Sequence, residues 1–546
     1  MTYRWIALWG LFVFPLFLQA QSYTRADSLL GGLRPERTAY RVHYYHLRLF
    51  PAPDKQSLSG EVDIFFEVMQ PTKTIQLDLQ QGMGITEVLH KDKRLALRRE
   101  YHSYFIHFRD SLQKGAHDFL RVSFTGRPPV ARNAPWDGGF VYKTSKSGLP
   151  WLGVAVQGLG ASAWWPNKDH LSEEPDSMRI SITVPQNLTA VSNGKLESHL
   201  RGDKQHTFTW KVSYPINNYN VTLNIGDYVL LTDTFMGSEF SLPMNYYVLR
   251  ENKTKAQKHF RQMHGILYCF EQFMGPYPFP RDGFKIVDAP FLGMEHQGAI
   301  AYGNQYLSGY LGFDRSALGL EFDFILLHET AHEYWGNSVS MRDRADMWIH
   351  EAFATYAEAM YIECHYNKAF ARKYIQTWAQ DVENKHPIIG PYHVHKTGST
   401  DMYYKGALML HTLRNLIADD MRWVSLWRAL QQHFKHQIVD SKEFIAYIND
   451  FLETDYSWLF DHYLRLAAPP MLVYALGFQH GIPTLYYKWE QVYSDFKLPL
   501  HVRTASGVLK LYPSLEWQDV VLPDRYVEID TERAYFLTRQ LKQIPY

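Results

Sequence analysis

The chain is 546 residues long, more than one hydrophobic core can organise, and about three or four domains are expected. Lys plus Arg and Asp plus Glu balance at 56 each, so no cationic surplus exists to neutralise a phosphate backbone, and nucleic acid is excluded as a partner class. Hydrophobic residues at 46% and charged residues at 21% exclude a long disordered arm, since such arms are poor in apolar residues.

In chain order, residues 1–20 read as a signal peptide: one positive charge, an apolar run over 5–18, and the small residue Ala20 as the cleavage point. The run is shorter than the roughly 20 residues that cross a bilayer. Export to the periplasm or the exterior is therefore expected, with no stable membrane span after cleavage. Residues 21–235 carry short alternating runs, at 40–49, 61–68, 74–79, 104–108, 178–184 and 220–225, which is the pattern of a β-rich domain. Residues 236–466 change to helical spacing, at 255–274, 317–334, 345–365, 370–382, 405–417 and 427–434. Residues 467–546 return to strands, at 471–476, 498–504, 507–512 and 526–529. The fold class is thus α+β and multidomain. Cys269 and Cys364 are the only cysteines. Two are too few for a Cys-rich zinc site, and both a disulfide and two buried free thiols stand open.

The segment Leu326-Leu327-His328-Glu329-Thr330-Ala331-His332 contains HExxH. On a helix, His328 and His332 project from one face and can converge on one metal ion, while Glu329 reaches a water beside it. The apolar residues before His328 make this helix central and buried. A hydrolytic zinc site takes three protein ligands and keeps one position open. Glu351, on a second expected helix whose Ala352, Ala354, Ala357 and Ala359 permit close approach, completes a His/His/Glu set for one Zn2+ per chain.

HExxH, eighteen residues and then Glu, with Trp335-Gly336-Asn337 after the first helix, resembles the gluzincin aminopeptidases, the family of aminopeptidase N and leukotriene hydrolase. The resemblance implies an N-terminal saddle-like β-domain, a thermolysin-like mainly helical catalytic domain and a small C-terminal β-sandwich-like domain. The family's exopeptidase motif Gly-x-Met-Glu-Asn corresponds here to Leu292-Gly293-Met294-Glu295-His296, which implies that Gly293, Met294 and Glu295 bind substrate, Glu295 through its amine. Leu292 and His296 depart from the pattern. The family's Tyr-x-Lys-Gly corresponds to Tyr403-Tyr404-Lys405-Gly406 and assigns the catalytic phenol to Tyr403, with Tyr404 as its alternative. Gln157-Gly158 resembles the family's substrate-lining Gln. The family's Asn-Glu-Gly at the third ligand is His350-Glu351-Ala352, another departure. Glu358 stands either as an acceptor for a ligand histidine or as one half of a surface ion pair.

The resemblance implies a zinc aminopeptidase acting on peptides with a free N-terminus, Glu329 being the base. Two alternatives remain. An endopeptidase on the same core would keep the zinc and Glu329 but have no use for Glu295, and an inactive scaffold or receptor would need none of these side chains.

Overall fold

The computed structural model describes residues 23–314 and 316–543, so the expected signal peptide lies outside the described residues. Alternation organises the N-terminal part. Strands Tyr40–Ala52 and Ser57–Val68 form a hairpin in which Tyr45, Leu47 and Leu49 point inward, and the pleat turns their neighbours toward solvent. This hairpin sits inside an eight-stranded sheet that continues through Ser177–Pro185, pairing parallel with Tyr40–Ala52, and through His117–Gly126 on the other side. A three-stranded and a four-stranded sheet join the same unit, whose apolar core includes Trp164, Trp165 and Trp210. The strand expected at 220–225 is only Asn224–Gly226. Before it, the Asn217 side chain accepts from the Tyr219 N–H and starts a short 3-10 turn.

The central part begins with a five-stranded sheet ordered Tyr228–Met236, Ser241–Leu249, Phe284–Asp288, Ile300–Tyr302 and Gly293–Met294. Its first hairpin runs across the boundary expected at 235, because Tyr228–Met236 pairs along its whole length with the following strand. The spacing of this mainly helical region marked only its helices; its inner strand Phe284–Asp288 is buried on both faces and carries no alternation to betray it.

Four helices carry the argument: α1 (Met263–Met274), α2 (Phe324–His332), α3 (Trp348–His365) and α4 (Tyr404–Ile417). The helix expected over 317–334 is shorter. Asp323 holds an extended backbone and its carboxylate accepts from the Ile325 and Leu326 N–H groups, so α2 starts there. The capping carboxylate is fully buried and also accepts from Tyr302, Asn304 and His259. The small residues of α3 do bring a neighbour close: a Cβ on Gly406 of α4 would lie 2.7 Å from the Ala352 Cβ. Helices Ser441–Leu452 and Ser457–Arg465 complete the layer and were not among those expected.

The C-terminal strands form a four-stranded sheet built on the hairpin Met471–Gln479 and Ile482–Glu490, and a three-stranded sheet around Leu500–Thr504. They are not a separate bead. One apolar cluster runs from the central helices into Leu472, Trp489 and Phe536, and Lys405 of α4 donates to the Leu466 and Ala467 carbonyls at the junction. Among the described residues no helix is long and apolar enough to cross a membrane.

Cys269 of α1 and Cys364 of α3 are joined in a disulfide, which settles the alternative left open by their spacing. The bond closes a loop of 95 residues, for which the chain-entropy account gives about 4 to 5 kcal/mol of stabilisation. Replacing both cysteines by serine should lower the thermal unfolding midpoint by roughly 4 °C in a calorimetric scan. An unchanged midpoint would contradict a structural role for the bond.

Candidate metal centre and active site

Helix α2 places His328 and His332 one turn apart, and α3 crosses it so that Glu351 faces both. The imidazole Nε2 atoms are 3.1 Å apart, and the Glu351 Oε2 lies 3.3 Å from that of His332 and 3.7 Å from that of His328. All three side chains are buried and form one cluster of potential metal ligands. What lies behind the rings fixes their tautomers. The His332 Nδ1 is 2.8 Å from the Trp335 carbonyl, and the His328 Nδ1 is 2.8 Å from Glu358 Oε1. Both acceptors require a proton on Nδ1, which leaves the two Nε2 lone pairs and the Glu351 carboxylate directed at one point. Three acceptors meeting without a donor repel one another unless a cation lies between them. Glu351 Oε2 is a buried oxygen with no hydrogen-bond donor among the described residues. A tetrahedral ion with ligands at about 2.0 to 2.1 Å has donor atoms about 3.3 Å apart, so the spacing fits a small divalent metal bound by His/His/Glu. Protons compete for the same lone pairs: burial opposes charge on His332, yet the Glu351 carboxylate beside it holds the imidazole up to about 9.

Glu358 is fully buried, so the surface-pair alternative is overturned; its second oxygen accepts from the Tyr374 hydroxyl at 2.7 Å. Tyr374 was not singled out from the sequence.

A cavity of ≈ 600 Å³ opens over the cluster, and Gln157, Gly293, Met294, Glu295, Glu329, Tyr403 and Tyr404 all line it. Glu329 stands between the two histidines in sequence, and burial pushes its carboxyl up to about 7 against the pull of the imidazoles. Its carboxylate rests on the edge strand Gly293–Met294. A Cβ at Gly293 would come within 2.5 Å of Ile325 Cγ2 and 2.9 Å of Glu329 Oε1, so only glycine lets the strand approach this closely.

Glu295 follows that edge strand, and burial holds its carboxyl above the usual range. Its Oε1 accepts from the Gln157 amide at 2.6 Å and from the Tyr219 hydroxyl at 3.2 Å. The same Gln157 nitrogen is 3.1 Å from Glu351 Oε1, and so it bridges the two carboxylates. Arg344 holds the Gln157 carbonyl at 2.6 Å, and Asn337 donates to the Glu295 carbonyl at 2.9 Å. Tyr219 and Arg344 were missed by sequence reading, which had no local pattern to flag them. The departure His296 is wholly buried, and burial pushes its imidazole down to about 3, leaving a neutral ring behind Glu295. His350 accepts from the Met341 N–H at 2.9 Å. Neither replacement lines the cavity.

The Tyr403 ring is 6.3 Å from that of His328, and burial together with the Glu351 and Glu295 carboxylates holds its phenol well above the ordinary range. It therefore stays protonated and can donate a hydrogen bond. Tyr404, the alternative, packs its ring 6.5 Å from Trp378.

Comparisons with known proteins agree with this geometry. The Peptidase M1 N-terminal domain model matches residues 41–219, and the Peptidase family M1 domain model matches residues 260–463. Aminopeptidase N of Streptomyces lividans is 25% identical over 289 residues, covering 48% of this chain and 32% of that protein. Glutamyl aminopeptidase of Sus scrofa is 26% identical over 418 residues, covering 69% of this chain and 42% of that protein. The chain thus spans less than half the length of these curated relatives. An M1 zinc metallopeptidase from Deinococcus radiodurans superposes with a TM-score of 0.67 at 20% identity over 81% of this chain and 96% of that one, and a mutant of it bound to a Tyr-Ser-Ala substrate gives 0.65. With both of its domain models matched over most of the described length, and with its fold shared, the chain belongs to peptidase family M1.

Proposed function

We propose that the protein is a zinc-dependent aminopeptidase that hydrolyses the N-terminal peptide bond of peptides, exported to the periplasm or the exterior. The observation that carries this reading is the pair of carboxylates bridged by Gln157: Glu351 turned to the imidazoles, Glu295 turned into the cavity beside them. The aminopeptidase names of the relatives support it, as does the Tyr-Ser-Ala substrate of the neighbouring structure. The apolar run over 5–18 and the Cys269–Cys364 disulfide support an oxidising compartment.

His328, His332 and Glu351 would hold the zinc, which when bound supplies positive charge that polarises a peptide carbonyl and acidifies water. Glu329, buried and with a carboxyl near neutrality, takes the proton from the attacking water and returns it to the leaving amine. The Tyr403 hydroxyl donates a hydrogen bond to the oxygen on which negative charge develops. Glu295 receives the α-ammonium of the substrate through a charge-assisted bond, and Gln157 and Tyr219 keep that carboxylate aimed. Anchoring the terminal amine beside the hydrolytic groups sets the cut after the first residue. An endopeptidase would gain nothing from burying Glu295 here at the cost of its desolvation.

Glu329→Gln should retain one zinc per chain by elemental analysis while kcat falls by about a thousandfold or more; near-normal turnover would remove Glu329 from the proton transfer. Glu295→Gln should erode the preference for free-amine over N-acetylated peptides by at least about tenfold. The unaltered enzyme cleaving both peptides at equal rates would defeat the aminopeptidase reading and favour the endopeptidase.

A further inference from the structure

The cavity has one wall that neither the metal cluster nor the amine anchor uses. Trp136 lines it and is nevertheless 60% exposed. An indole left in water beside a concave site is a surface waiting for a partner. It is also firmly presented. Gly138 N–H donates to the Pro135 carbonyl at 3.1 Å, closing a turn with Trp136 at its tip. The Asp137 carboxylate accepts from the Arg132 and Asn133 N–H groups at 2.7 and 2.8 Å, and Phe140 N–H ties back to the Pro129 carbonyl at 2.8 Å. A turn braced this way fixes the backbone from which the ring projects, which lowers the cost of packing against it. The turn lies against the segment that carries the amine-anchoring pair: a Cβ on Gly158, next to Gln157, would meet the Trp136 carbonyl oxygen at 3.6 Å.

The other cavity walls match an apolar guest. Leu292, Met294, Tyr310, Phe324 and Met402 are among the lining residues, the polar ones beside them include uncharged threonines, and no Lys or Arg lines the cavity among the described residues. An acidic side chain would shed water against these walls with no Lys or Arg to meet it. A cationic one would meet carboxylates already committed: Glu351 to the imidazoles, Glu358 to His328 and Tyr374, Glu329 to the proton transfer, and Glu295 to the substrate's own α-ammonium. We propose that Trp136 is a specificity-determining residue, forming the outer wall on which an apolar or aromatic first side chain of the peptide packs. The proposal rests on the aminopeptidase reading. It also sets this chain apart from its glutamyl aminopeptidase relatives, whose name denotes an acidic first residue.

The test is a set of reporters carrying Phe, Leu, Ala, Glu or Lys on one leaving group, assayed with the unaltered enzyme, Trp136→Ala and Trp136→Phe. The unaltered enzyme should turn over the Phe and Leu reporters with kcat/KM about tenfold or more above Ala, and Glu should trail Leu by about a hundredfold. Trp136→Ala should cut the Phe-to-Ala ratio by about tenfold, mainly through KM, and Trp136→Phe should restore most of it. A ratio within one preparation does not depend on the folded fraction, so partial misfolding cannot imitate the effect. An unchanged ratio in Trp136→Ala, or Glu turned over as fast as Leu, overturns the proposal while leaving the aminopeptidase reading intact. No turnover of any reporter, with cleavage of N-acetylated peptides, overturns both.

Discussion

Two lone pairs and a carboxylate held toward one point at the floor of a cavity form the constraint on which this molecule turns. Such an arrangement is costly to bury, and it persists because the far side of each ring is held: the Trp335 carbonyl for His332, Glu358 and then Tyr374 for His328. The helices follow from this need. Helix α2, capped at Asp323, carries both histidines on the face that meets α3 through their i, i+4 spacing, and the small residues Ala352 and Gly406 let α3 and α4 approach closely beside Glu351.

The second half of the site comes from the other domain. Gln157 and Tyr219 belong to the N-terminal β-rich unit, and both reach Glu295 on the edge of the central sheet. The metal cluster thus lies wholly on the central helices, whereas the amine anchor exists only when the two units are docked. Arg344, donating to the Gln157 carbonyl across that junction, shows how the docking is held. The division of labour separates hydrolytic power, set by α2 and α3, from choice of substrate, set by what the β-rich unit presents.

Legibility in the sequence followed the range of the interaction. The i, i+4 pairing of His328 and His332 is local and could be read directly, and Glu351 was found because a hydrolytic zinc needs a third ligand and an alanine-lined helix offered one. The central hairpin of the N-terminal sheet was equally plain, since one buried face enforces alternation. Buried on both faces, Phe284–Asp288 has no alternation, and its sheet was not foreseen. The stretch 317–323 has helical spacing, but the buried Asp323 cap outweighs it. Tyr219, Tyr374 and Arg344 act through partners that are 76, 16 and 187 residues away, and residue type alone gives no hint of such meetings. The Cys269–Cys364 bond depended on where α1 and α3 pack, which spacing does not encode.

Anomalous diffraction from crystals of the purified protein, measured on both sides of the zinc edge, tests the central claim most directly. The account predicts one strong peak per chain, about 2.1 Å from the Nε2 atoms of His328 and His332 and within bonding distance of the Glu351 carboxylate. A featureless map at that point, in protein that is active and was never exposed to a chelator, would contradict it.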